Sequence, residues 1–391
     1  VGERRDFDVA IVGLGGIGSG AAYWAAKRAG SGVLGLERFE LGHERGASQD
    51  HSRILRLSYH TPAYVRFAQD AYAAWAELEA ESGDRVVIPT GGIDLYPEGA
   101  YGFMDDYTGS LDAVGVGYEW MDAGEAMRRW PQWRLGDDVR VMYQEASAIA
   151  AAARANAAHR RVAVEHGATL LDHARVTSVR DLGGGYEVGT DDGRAFEAER
   201  LIVTADAWTN EVLAHFGVRL NLTVTQEEVA YYAAADVEAF RPGRFPLWIW
   251  MGEPSYYGLP VFGEEGPKIG WDAGGPEVTG DTRTFEQPAG YTAALDAFMR
   301  EHLPSGFGPH LKLKSCLYTM PPDRDFVLDR IPGQECAVVG QGAAHAFKFA
   351  SVFGRSLVEL VFDGATSSDV SAWTIDRPVL TMDDPPTSYA M

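Results

Sequence analysis

The chain has 391 residues, enough for two domains or for one domain with a large excursion inserted into it. Hydrophobic residues make up 46% and charged residues 23%, a globular composition, and 56 acids against 34 bases give a formal charge of −22. So acidic a surface repels phosphate backbones and anionic lipids, which argues against nucleic acid and membrane partners, and no apolar run is long enough to span a bilayer. Two cysteines, Cys316 and Cys336, do not make a disulfide framework, and the ten histidines show no paired metal-ligand spacing. A reduced, cytoplasmic setting without a resident metal is expected, and the strand that opens the chain leaves no room for a secretory signal.

Residues 8–13 form a short apolar run ending in glycine. Gly13-Leu-Gly15-Gly-Ile-Gly18 follows, then an Ala-rich helix through about Arg28, then a second strand ending in Glu37. Strand, G-x-G-x-x-G, helix, strand and carboxylate stand in the order of a dinucleotide site. The glycines permit a tight turn and let a pyrophosphate approach the free N–H groups of a helix N-terminus. Glu37 is placed to accept hydrogen bonds from a ribose, which speaks against a 2′-phosphate but leaves NAD and FAD both open.

The next stretch, Gly46-Ala-Ser48-Gln-Asp-His-Ser-Arg53-Ile-Leu-Arg56, opens as a loop, and the spacing of Arg53 and Arg56 reads as one turn of a helix. Two arginines here would clamp a carboxylate or phosphate, or simply form surface ion pairs. Residues 64–78 carry a helical apolar stripe. Residues 90–96 alternate as a strand, 105–133 mix short helices and loops, and 148–167 read as a helix. A strand over 169–179 leads into a hairpin at Gly183–Gly185, and the apolar run at 198–208 is a late strand returning to the nucleotide sheet. The nucleotide domain is therefore discontinuous.

From 222 to 314 the character changes to aromatic-rich strands at 228–233, 245–251, 255–262 and 267–272, a largely antiparallel sheet in a second domain. Strand alternation sets Lys268 and Asp272 on one face. In Leu-Lys-Leu-Lys-Ser-Cys316-Leu-Tyr318 the same alternation puts Lys312, Lys314, Cys316 and Tyr318 together, so that cations would favour a thiolate. A strand at 335–340 then turns through Gly342, His345 and Lys348 into a helix over 350–362, a second helix start suited to negative charge.

The N-terminal fingerprint with Glu37, Gly-Ala-Ser-x-x-x-Ser-Arg-Ile-x-Arg, Lys268, Cys316-Leu-Tyr318 and His345-Ala-Phe-Lys348-Phe occur in one order over nearly the whole chain. This set resembles the monomeric sarcosine oxidase and N-methyltryptophan oxidase family, FAD-dependent amine oxidases with covalently attached flavin. The resemblance implies an α/β fold: a discontinuous Rossmann-like FAD-binding domain (1–90, 146–220 and 316–391) and an α+β substrate domain with a large, mainly antiparallel sheet (91–145 and 221–315). It implies FAD joined through Cys316 as an 8α-S-cysteinyl thioether, with Gly13, Gly15, Gly18, Glu37, Ser48, Arg53, Val176, Gly342 and Lys348 as further cofactor contacts. It implies Lys268 as the residue promoting reaction with O2, with Arg53, Tyr318 and His345 as further catalytic groups. Arg56 and Lys348 would hold the substrate carboxylate, with Tyr256 and Asp272 as further substrate contacts. Asp272, on the face of Lys268, is expected either to raise the lysine's pKa or to meet a polar or cationic substrate group. The expected reaction is oxidation of a secondary-amine amino acid, an N-alkyl or cyclic imino acid, by a monomer that reduces O2 to H2O2. Alternatives are an oxidase of fructosyl amino acids, a flavin dehydrogenase with another electron acceptor, an NAD-dependent oxidoreductase and a non-catalytic flavin-binding module.

Overall fold

The computed structural model describes residues 6–287 and 289–387. Strand Asp6–Val12 pairs in parallel with Val33–Leu36 on one side and Ala195–Val203 on the other. Val9, Ala10 and Ile11 are fully buried because both faces of this sheet are covered, which is why the strand is a continuous apolar run without alternation. Ala337–Gln341 extends the sheet in parallel beside Ala195–Val203, so the late strands do return to the first one. Helices Gly16–Ala29, Ala152–Glu165 and Ala350–Asp363 pack together, and Gly20 is needed where the first meets the third: a Cβ there would lie 2.4 Å from the Ala350 carbonyl oxygen.

Three expectations for this half are corrected. The strand expected over 169–179 is two strands, Thr169–Leu171 and Val176–Asp181, at opposite edges of the sheet. His173 at φ +47 breaks the run, and the Ala174 N–H turns to the Glu37 carbonyl. The helix expected over 148–167 begins only at Ala152, because Ala148–Ala150 is the central strand of a small sheet between Arg53–Leu55 and Val87–Pro89. Arg53 therefore lies on a strand, and the helical turn that would have aligned it with Arg56 does not form.

The second large sheet runs in the order His310–Met320, Thr223–Tyr232, Lys268–Trp271, Tyr256–Leu259, Leu247–Trp250, Gly92–Tyr96, Arg140–Gln144, Glu119–Asp122. Every pairing is antiparallel except Leu247–Trp250 with Gly92–Tyr96. The edge strand Glu119–Asp122 arises in a stretch that reads as helix and loop. His310–Met320 pairs along its whole length with Thr223–Tyr232, so the expected boundary between residues 315 and 316 falls inside one unbroken strand. The outer face of this sheet is a core in which Trp248 stacks on Phe298 of helix Ala289–His302, 5.3 Å between ring centroids. The other face looks toward the first layer. Among the described residues, no helix is long and apolar enough to cross a membrane.

Candidate active site

The turn after the first strand is built from glycines for steric reasons. Gly13 sits at φ +92, and a Cβ on Gly18 would lie 1.8 Å from the Gly13 carbonyl oxygen. The Gly16 N–H at the start of the helix donates to Ser48 Oγ at 2.8 Å, tying the loop over 46–52 across the turn. Glu37 directly follows strand Val33–Leu36 and is buried. Burial opposes its charge, but His43 at 3.3 Å and the Leu14 N–H at 2.9 Å hold the carboxylate below the usual range. Gly13, Gly15, Glu37, Ser48 and Val176 line one compartment. Gly18 stands behind the turn and serves the close approach of helix and strand.

A second compartment adjoins the first through Gly15, residues 46–49, Thr204 and Asp206. Arg53, Asp272, Cys316, Tyr318, Gly342, His345 and Lys348 all line it. Two joined chambers, one lined by the glycine turn and an ionised acid and the other reaching Cys316, suit the two halves of a dinucleotide such as FAD. Arg53 is held by the carbonyls of Ala47 and Gln49 at 2.8 and 2.5 Å, so the loop fixes its guanidinium against the wall.

Cys316 faces this chamber, but not through the lysines of its own strand. Lys312 is paired with Glu264 at 3.0 Å and Lys314 with Glu44 at 2.7 Å. Burial pushes the Cys316 thiol up to about 11, and the groups that pull it back are Arg53 and Lys268, with Glu227 opposing them. The cations that tune the thiol therefore come from distant segments.

Lys348 lines the chamber and is buried, and among the described residues its amine touches no carboxylate, although Asp272 and Asp94 act on it from farther away. Burial first, then the neighbouring Arg56, pushes its pKa well below that of an ordinary lysine. His345 Nε2 lies 3.1 Å from the Arg324 carbonyl, which only accepts, so Nε2 carries the proton and Nδ1 is left as a bare, buried acceptor. Burial and the adjacent Lys348 keep the ring neutral. Asp272 is clamped by both terminal nitrogens of Arg324, at 2.6 and 2.8 Å.

Four expected placements differ. Tyr256 is in the outer core, its ring 4.6 Å from that of Phe298, while its neighbour Tyr257 lines the chamber. Gly270 makes the room, since a Cβ there would strike the Tyr257 ring at 2.5 Å. Arg56 is buried outside the chamber lining and committed to Asp94 at 3.0 Å. Lys268 likewise stands behind the wall: its amine donates to Asp50 Oδ2 at 2.5 Å, and Asp50 is the group that lines the chamber. Asp272 is thus not the partner of Lys268; its charge belongs to Arg324. Sequence reading missed Asp50, Tyr257 and Arg324. None of the three had a local signal: Asp50 and Arg324 are charged residues with distant partners, and Tyr257 lies on a strand that is apolar on both faces.

The DAO family, described as FAD dependent oxidoreductase, matches residues 8–360. Monomeric sarcosine oxidase of Bacillus sp. (strain NS-129) is 28% identical over 96% of this chain and 97% of its own length. The monomeric sarcosine oxidase of Streptomyces avermitilis is 31% identical over 93% and 96%. Among solved structures, NikD, an amino acid oxidase essential for nikkomycin biosynthesis, superposes with a TM-score of 0.83 at 25% identity, covering 95% of this chain and 97% of that one.

Proposed function

This chain belongs to the DAO family of FAD-dependent oxidoreductases, and we propose that it oxidises amino acids whose amine is secondary, N-alkyl or cyclic, with O2 as the electron acceptor. The observation that carries the reading is Lys348, a buried lysine lining the chamber that also holds Cys316 and Tyr318, with no carboxylate in hydrogen-bond or ion-pair contact among the described residues.

FAD, when bound, would supply the acceptor for a hydride from the carbon beside the amine nitrogen and the electrons for O2. Gly13, Gly15, Ser48, Glu37 and Val176 would hold its adenosine and pyrophosphate portion, and Arg53, Gly342 and Cys316 the flavin portion. Cys316 would carry the 8α thioether. Lys348 binds the substrate carboxylate, and the arriving anion restores the charge that burial disfavours. His345, its ring oriented by the Arg324 carbonyl, borders the amine and helps fix the nitrogen relative to the carboxylate. Tyr257 and Tyr318 border the substrate, while Ile54, Ile249 and Phe347 exclude water from the chamber. The imine leaves and is hydrolysed to an aldehyde and an amine, two molecules from an N-alkyl substrate and one ring-opened molecule from a cyclic one. Lys268 assists O2 reduction as a cation behind the wall. In this reading one sheet layer serves the cofactor, the other serves the substrate, and the chain works as a monomer.

Purified protein given a panel of N-methyl and cyclic amino acids is expected to release H2O2; no peroxide and no flavin bleaching with any of them would refute the assignment. Acid precipitation tests the linkage separately. The yellow colour should stay in the pellet for wild type and Cys336→Ser and pass to the supernatant for Cys316→Ser.

A further inference from the structure

Lys268 and Asp50 lie 218 residues apart and form a buried ion pair, with side chains 2% and 3% exposed and 2.5 Å between charged atoms. The lysine's other bond is to the Ser52 carbonyl at 3.2 Å. Asp50 is itself fixed from a second side: the Tyr231 hydroxyl stands 2.8 Å from both carboxylate oxygens. Its backbone sits at φ +111, a conformation L residues rarely adopt and one that persists only where the surroundings impose it. The groups facing Lys268 are Asp50 and Ser52 from the loop, Arg53 from the small sheet, the Tyr231 ring at 5.6 Å, and Cys316. Asp50 is the anion among them that touches the ammonium.

We propose that Asp50 is the positioning residue for Lys268, keeping it an ammonium ion beside the chamber so that its charge is present when O2 is reduced there. The inference rests on the role given to Lys268 under Proposed function. Converting O2 to H2O2 takes two electrons, supplied by the reduced cofactor, and two protons, and the first electron creates a negative charge that a nearby cation stabilises. An ammonium ion buried to this degree and repelled by Arg53 gives up its proton easily. Burial does push the pKa of Lys268 down, and Asp50 is the main force pulling it back. Asp50 in turn stays ionised, because Lys268 and Arg53 outweigh the burial that opposes its charge. Without the carboxylate the lysine is neutral at working pH and contributes no field.

The test compares wild type, Asp50→Asn, Asp50→Gly, Asp50→Glu and Lys268→Met. Each protein is reduced anaerobically and mixed with O2 in a stopped-flow instrument from pH 6 to 9. Wild type is expected to react at a nearly constant rate. Asp50→Asn should match it within about threefold at pH 6, then fall about tenfold per pH unit above the lowered lysine pKa, down to the Lys268→Met floor. Asp50→Gly relieves the backbone strain yet removes the anion, so it should follow Asp50→Asn, and Asp50→Glu should restore the flat profile. A second readout does not depend on turnover. The chain has five lysines (Lys27, Lys268, Lys312, Lys314, Lys348), so 15N-lysine labelling resolves the Lys268 ammonium, identified by its absence in Lys268→Met. That signal should persist to high pH in wild type and disappear near the same pH as the rate in Asp50→Asn. A flat rate profile and a retained ammonium signal in Asp50→Asn overturn the proposal. Reoxidation of Lys268→Met as fast as wild type would instead refute the role of Lys268, and the proposal would fall with it.

Discussion

A buried lysine that touches no carboxylate holds its charge poorly, and a chain keeps one where a ligand supplies the anion. Lys348 is that case, since Asp272 is taken by Arg324 and Asp94 by Arg56. Removing one partner of a buried charge pair costs about 2–5 kcal/mol. Lys348→Met is therefore expected to raise KM about a hundredfold or more for N-methyl amino acids, with kcat reduced less, as steady-state peroxide assays would register. An unchanged KM would place carboxylate binding elsewhere. These ion pairs also mark where sequence reading stops. Arg56–Asp94, Asp272–Arg324 and Lys268–Asp50 join residues 38, 52 and 218 positions apart, and no local pattern tells an arginine which acid it will meet.

Strand Tyr256–Leu259 shows what one residue of phase decides. Successive side chains of a strand face opposite sides, so Tyr256 and Tyr257 serve different compartments although they are chemically identical. Truncating Tyr256 empties part of the outer core beside Phe298. Tyr256→Ala should lower stability by about 3–5 kcal/mol in denaturant unfolding while leaving kcat/KM per folded molecule near wild type. Tyr257→Phe should do the reverse, with little change in stability and a loss of roughly tenfold in kcat/KM. If both variants lose activity without losing stability, the assignment of faces is wrong. The glycine turn and the Cys316 strand were legible because their signals are short-range: a fixed spacing in one, a two-residue period in the other. Phase was not legible for Tyr256, because its strand carries aromatic or apolar residues on both faces and lacks a polar side to orient it.

At the scale of the whole molecule, the α/β layer and the mainly antiparallel layer followed from the sequence, since apolar runs and alternation distinguish a sheet covered on both faces from a mixed one. The loop geometry and the boundary at residue 315 did not follow, because a strand's hydrogen bonds with a distant neighbour leave no trace in its own residues. The formal charge of −22 acts over the same scale. The Debye length shrinks from about 30 Å at 0.01 M salt to about 8 Å at 0.15 M. For an N-methyl amino acid with an acidic side chain, kcat/KM is therefore expected to rise about twofold to fivefold over that range, while a zwitterionic substrate should change little; equal responses would mean that net charge plays no part in capture. The two layers are also threaded through one another. Strands 6–12, 33–36 and 195–203 belong to one sheet and 92–96, 140–144 and 223–232 to the other, so the chain passes back and forth between them. Neither layer can be cut out as a continuous piece or exchanged by joining gene segments at a single point. Descendants of such a chain acquire new substrates one side chain at a time, on a scaffold that recombination cannot easily take apart.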